Sequence, residues 1–261
     1  MIDMGRVGIS SPLFSFSSIE HSLKEISHRF ERWEIVAELE HTSRALMEKK
    51  DLLLDSGLKI TVHAPFADLN LASLDQRVRE LSIERIEEAL QASHELGSEI
   101  VTIHPGFFSP LGFLLPERVN ENNSDSIARL SREAEELGVT LALENMPPWK
   151  GSMGDSMDDL IDRIEGTGAR ICFDVGHAHI GGAIEGFIGR SDLIANVHIH
   201  ENDGKDDLHL PIGSKDVIGV MEKLEARGYR GPYIIESRDL EEGIQSLKYL
   251  EKVAIWRPTR D

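Results

Sequence analysis

Residues 171–177 read Ile171-Cys172-Phe173-Asp174-Val175-Gly176-His177. Ile171 and Phe173 are bulky and apolar, whereas Cys172 and Asp174 are small or polar. Strict alternation of this kind marks a β-strand with two different faces. The strand ends on a carboxylate, and an imidazole follows three residues later. Five other stretches repeat the pattern: TVHAP (61–65), TIHPG (102–106), LALEN (141–145), NVHIHEN (196–202) and YIIES (233–237). Each places a metal-ligand residue at the end of a strand-like run: His63, His104, Glu144, His198 and Glu236, alongside Asp174.

Between these runs lie helical patterns closed by glycine. Leu74, Val78, Leu81, Ile86, Leu90, Ser93 and Leu96 precede Gly97; Ile127, Leu130, Ala134 and Leu137 precede Gly138; Val217, Val220, Met221 and Leu224 precede Gly228. Glycine after the last apolar position is a helix stop. Strands are predicted near residues 6–10, 33–38, 58–63, 99–104, 139–144, 170–174, 196–201 and 232–236. Eight strands alternating with helices predict an α/β fold, a (β/α)8 barrel, with an open doubly wound sheet as the alternative. The alternation decides between them. A doubly wound sheet is covered by helices on both faces and reads apolar on both. Here one face is bulky and the other carries the polar residues, as in a barrel whose functional groups stand at the C-terminal strand ends.

The chain has 261 residues, which fits one barrel, and no linker or shift in composition divides it, so residues 1–261 are read as a single domain. Its one cysteine, Cys172, excludes an internal disulfide. With no long apolar run and no basic-then-apolar leader, no membrane association is expected and a cytoplasmic location is. The formal charge of −18 argues against a non-specific nucleic-acid surface, which needs clustered Lys and Arg. It leaves open a nucleic-acid enzyme whose carboxylates are neutralised by cations.

Seven of the eleven histidines fall at or just beyond strand ends. Three residues join the six strand-end ligands: His177, and Asp207 and His209 from DDLHLPIG (206–213). A single Zn²⁺ or Mn²⁺ needs about four to six donors, so these nine are enough for one to three ions if one carboxylate bridges. Without cations the carboxylates would repel one another. His200 shares a face with His198 and is read as a ligand or a substrate contact, whereas His179 is read as structural. Glu38, Phe66, Trp149 and Lys205 are candidate substrate contacts around the mouth. The apolar loop with Phe107, Phe108, Leu111, Phe113, Leu114 and Leu115 reads as a lid or a subunit contact, or under a DNA reading as a wedge.

In order along the chain, HAPF, HPG, EN, DVGH, HIHEND, DDLHLPIG and IIES resemble the superfamily of endonuclease IV (AP endonuclease family 2) and the xylose isomerase-like sugar isomerases and epimerases. The resemblance runs from the third strand to Glu236. It implies a zinc set in which His63 and His104 hold a first ion and Glu144 bridges to a second. Asp174, His198 and Glu236 complete the second, and His177, Asp207 and His209 hold a third. The isomerase branch implies a single ion on Glu144, Asp174, His198 and Glu236, with His177 near the substrate. Two enzymatic readings follow. The favoured one is a sugar or sugar-phosphate isomerase or epimerase, transferring protons through Glu144 and Glu236 with His177 as the third catalytic group. The arginine that some epimerases carry shortly after the seventh-strand histidine is missing; Lys205 is the cation there. The alternative is an AP endonuclease or phosphodiesterase acting on DNA through three metal ions. A third class is a metal-binding barrel without catalysis.

Overall fold

The structure, a computed structural model, describes residues 2–255. Eight strands run β1 (Val7–Ser10), β2 (Arg32–Val36), β3 (Lys59–His63), β4 (Ile100–Ile103), β5 (Thr140–Glu144), β6 (Arg170–Asp174), β7 (Ile194–Ile199) and β8 (Tyr233–Glu236). They close in sequence order into one parallel barrel, β8 returning to β1 through Val7–Tyr233, Gly8–Ile234, Ile9–Ile235 and Ser10–Glu236. The helices are α1 (Ile19–Ser27), α2 (Ser43–Glu48), α3 (Lys50–Asp55), α4 (Gln76–Glu95), α5 (Pro116–Leu137), α6 (Met157–Ile164), α7 (Val175–Gly181), α8 (Ile184–Gly189), α9 (Asp216–Ala226) and α10 (Leu240–Ile255). The open-sheet alternative is thereby excluded.

The two faces of the strands divide the interior. Ile9, Trp33, Ile35, Val62, Val101, Leu143, Phe173, Val197, Tyr233 and Ile235 point outward and join the apolar residues of the helices in one core. Phe173 stacks on Phe187 of α8 at 4.8 Å, nearly parallel. Ala142, Cys172 and Ile234 are equally buried but stand apart from that core, on the inward face with Glu34, Thr61, Thr102 and Asn196. The outer layer supplies the burial that drives folding. The barrel lumen is thus free to carry polar groups, provided each finds a partner.

Two expectations shift in detail. β2 ends at Val36, because the Glu38 amide donates back to the Val36 carbonyl at 2.8 Å and the chain turns. On α4 the inner stripe is Ser82, Ile83, Ile86, Ala89, Leu90 and Ser93, and Val78 and Leu81 are exposed. Ser82 can replace an apolar residue there because its hydroxyl donates to the Val78 carbonyl and accepts the Asn70 amide. Gly138 ends α5 in the left-handed region, at φ 69°, as its spacing predicts.

Candidate metal centre

All strands point their C-terminal ends to one mouth, and there the nine predicted donors meet. His63, His104 and Glu144 form one group in which a ligand atom from each lies within 4.8 Å of the others; Glu144, Asp174, His198 and Glu236 form a second; His177, His200, Asp207 and His209 form a third. Glu144 belongs to the first two. Its Oε2 lies 3.1 Å from His63 Nε2 and 3.3 Å from His104 Nε2, while Oε1 lies 3.3 Å from His198 Nδ1. Glu236 Oε1 approaches the same His198 nitrogen at 3.2 Å. Asp207 Oδ2 sits between His177 Nε2 at 3.2 Å and His209 Nε2 at 3.0 Å.

Local structure aims these groups. Asp174 caps α7, its Oδ1 accepting the His177 amide at 2.6 Å, so the helix starts at once and carries His177 over the mouth. Asn145 ties β5 to β6: its side chain accepts the Asp174 amide at 2.7 Å and donates to the Asp174 carbonyl at 3.0 Å. A Cβ at Gly176 would lie 2.1 Å from the His200 ring, so only glycine admits that imidazole. His209 holds a left-handed backbone, φ 46°, which is unusual for a residue with a side chain.

The hydrogen-bond pattern fits a cation. His63 donates from Nδ1 to the Ala64 carbonyl at 2.9 Å, and His177 from Nδ1 to the Asn145 carbonyl at 2.8 Å. A carbonyl only accepts, so each ring turns Nε2 toward the cluster, which is how metal-ligating histidines are held. Asp174 Oδ2 is buried without a hydrogen-bond partner, and His200 Nε2 and Asp207 Oδ1, 3.6 Å apart, make ion-pair contacts but no well-formed hydrogen bond. Buried polar atoms left unpaired are costly, and a divalent cation would satisfy them. The electrostatics agree. Burial opposes charge on His177, but Asp174, Asp207 and Glu144 outweigh it and hold the imidazole up to about 10. Burial likewise opposes charge on His209, yet Asp207 and Glu236 raise it to about 9. Burial favours a neutral Asp174, but His177 and His200 hold it down to about 2. His198, His104 and His63 likewise keep buried Glu144 well below the carboxylate range.

The candidate substrate contacts divide. Phe66 stacks on His104 at 4.6 Å, and both line a cavity of about 200 Å³ with Phe107, Met146 and Trp149. His200 lies within the third group, stacked on His209 at 4.1 Å. Glu38 is used otherwise: its Oε1 accepts the amides of Phe66 and Ala67 at 2.8 and 2.7 Å, fixing the loop after β3. Lys205 is exposed on the loop after β7. His179 donates from Nδ1 to Asn202 Oδ1 at 2.8 Å, and its ring is not among the grouped donors. The apolar loop after β4 is pinned rather than free: Phe108 donates to the Gly151 carbonyl at 2.8 Å, and the Asn70 side chain pairs with both backbone groups of Phe107. Phe107, Leu111, Phe113, Leu114 and Leu115 remain exposed at its rim.

Sequence reading overlooked Glu34, which is fully buried beneath the cluster with its Oε1 2.7 Å from His198 Nε2. A signal existed: Glu34 is a carboxylate on the inward face of a strand whose neighbours Trp33 and Ile35 are apolar. Cys172, beside Glu144 and His198, was also missed as a neighbour of the centre. Burial pushes its thiol up.

Comparison with known proteins agrees with this architecture. Residues 26–253 match the family described as xylose isomerase-like TIM barrel. An uncharacterised protein of Methanocaldococcus jannaschii is 35% identical over 267 residues, covering 97% of this chain and 90% of its own. A probable endonuclease 4 of Mycobacterium leprae is 27% identical over 213 residues, covering 74% of this chain and 79% of its own. Among solved structures, a D-tagatose 3-epimerase-like protein superposes with a TM-score of 0.88 at 32% identity, covering 96% of this chain and 97% of its own.

Proposed function

The chain belongs to the xylose isomerase-like TIM-barrel family, and from that premise we propose that it is a divalent-metal-dependent sugar isomerase or epimerase. The observation that carries this reading is the convergence of two glutamates. Glu144 from β5 and Glu236 from β8, three places apart in the ring of strands, approach one nitrogen, His198 Nδ1, at 3.3 and 3.2 Å. Glu144, Asp174, His198 and Glu236 would hold the ion, Zn²⁺ or Mn²⁺. Once bound, such an ion supplies Lewis-acid polarisation of a carbonyl oxygen.

The remaining work falls to side chains. One glutamate, as the carboxylate, removes the proton next to the carbonyl, and the other, starting as the carboxylic acid, gives its proton to the substrate from its own side and is left as the carboxylate. Epimerisation returns it to the same carbon, and isomerisation to the neighbouring one. His177, held through Nδ1 on the Asn145 carbonyl, presents Nε2 over the mouth beside Asp207, where it would meet the substrate. Phe66, Phe107, Met146 and Trp149 wall the adjoining cavity and would exclude water from the reacting carbon. That apolar wall suits the carbon face of an unphosphorylated sugar better than a phosphate. The similarity to a D-tagatose 3-epimerase-like protein supports the same substrate class.

A second reading is favoured by a separate observation, the three donor groups that together include all nine ligand positions. With a relative named probable endonuclease 4, they support a phosphodiesterase acting on abasic DNA. The charge of −18 weighs against a DNA-gripping surface and ranks this reading second. The deciding experiment follows deuterium uptake from heavy water into a panel of ketoses, with and without added Mn²⁺ or Zn²⁺, beside nicking of a duplex with an abasic site. Metal-dependent exchange is expected. Metal-dependent nicking without exchange would replace the first reading by the second.

A further inference from the structure

We propose that Glu34, on the floor of the barrel, is a positioning residue that decides which nitrogen of His198 faces the cluster. The inference rests on the reading that His198 is a metal ligand. Glu34 belongs to none of the donor groups, and it lies within β2, well below the strand end. It is fully buried, as are Thr61, Thr102, Asn196 and His198 around it. An ionised carboxylate survives in such a place only with every lone pair directed at a donor.

A proton inventory fixes the arrangement. Glu34 Oε2 accepts from Thr61 Oγ1–H at 3.2 Å and from Asn196 Nδ2–H at 2.8 Å. The second Asn196 Nδ2 hydrogen goes to Thr102 Oγ1 at 3.0 Å. Asn196 Oδ1 accepts the Val197 amide at 3.1 Å, so a flipped amide would lose that bond and set two donors against each other. Asn196 therefore has no hydrogen left for His198 Nε2, although the two nitrogens lie 3.1 Å apart. With Glu34 ionised, the contact of 2.7 Å between His198 Nε2 and Glu34 Oε1 is a hydrogen bond only if Nε2 carries the proton. Nδ1 is then the nitrogen that can offer a lone pair, and it is the one that faces Glu144 and Glu236.

With a cation bound by His198, Glu144 and Glu236, the opposite tautomer would press the Nε2 lone pair against the Glu34 carboxylate in a medium of low dielectric, which is strongly unfavourable. His63 and His177 are held by backbone carbonyls, neutral acceptors. His198 is held by a full negative charge, which raises the donor strength of the far nitrogen. Glu34 thus fixes the tautomer of His198 from within β2, below the donor groups.

Two measurements on the full-length protein test this. Long-range ¹H–¹⁵N correlation of the zinc-loaded protein should show His198 with Nε2 protonated and Nδ1 metal-bound. In zinc titrations against a chromophoric chelator, Glu34→Ala should weaken binding by about 10–100-fold. Glu34→Gln, which keeps an acceptor but loses the charge, should fall between that variant and the parent. Zinc that leaves the His198 signals of the parent protein unmoved would overturn the metal reading itself, and with it the role of Glu34. Zinc bound through Nε2, or a folded Glu34→Ala variant with parental affinity, would overturn the role of Glu34 alone. If the alanine variant does not fold, the nitrogen assignment in the parent decides.

Discussion

A carboxylate placed two residues from another strand end has different chemistry according to what surrounds it. Glu144 meets three imidazoles inside the barrel, whereas Glu38 is spent on two loop amides. For the proposed proton transfer, Glu144→Gln and Glu236→Gln should each lower solvent exchange by at least about 100-fold, since a positioned acid–base group contributes about 10²–10⁴-fold. Retention of exchange in either variant would remove the two-base mechanism. Stability should also follow pH in a defined way when the protein is kept free of metal. His177 is raised from 6.5 to about 10, so its stabilising contribution is complete below pH 6.5 and is lost as pH rises through 10. His209, raised to about 9, adds to that alkaline loss. His41, packed edge-on against Trp33, is lowered by burial to about 4. Its contribution is complete above pH 6.5 and is lost as pH falls through 4. The midpoint of thermal unfolding in chelator should therefore peak near pH 6.5; a midpoint that keeps rising to pH 10 would contradict the assignment.

At the scale of elements, strand alternation separates a helix-facing layer from a lumen-facing one, and the strand-to-helix junctions set the angles of the donors. The junction after β6 is the tightest. Asp174 caps α7, and Gly176 leaves room for the His200 ring crossing from the end of β7. Gly176→Ala would place a methyl group inside that ring, so the variant should lose about 1–3 kcal/mol by overpacking. Its unfolding midpoint should fall, and the third donor group should bind zinc less tightly. Parental behaviour on both counts would mean that His200 swings away without cost. These junctions were only partly legible. DVGH announces the cap and the following histidine. Nothing local announces that His200 must pass over Gly176, because the two residues lie on different strands' loops and meet only after the barrel closes.

At the scale of the molecule, the outer core and the lumen answer to different forces. The apolar layer between strands and helices stabilises the barrel, while the lumen concentrates carboxylates and imidazoles at cost to stability. A ligand bound only by the folded chain stabilises it in proportion to its affinity: about 2.7 kcal/mol at a hundred times Kd. Zn²⁺ or Mn²⁺ at that excess should raise the unfolding midpoint by about 5 °C or more, reversed by chelator. A midpoint indifferent to both would contradict a metal centre. No helix among the described residues is long and apolar enough to cross a membrane. The strand–helix rhythm, the inward parity of the ligand residues and the glycine stops were all present in the chain, because they are periodic and local. Which donors share an oxygen and that Glu34 lies beneath His198 were decided only by closure of β8 onto β1. Closure sets the distance between Glu34 and His198, 164 positions apart, and no pattern along a strand encodes such a distance.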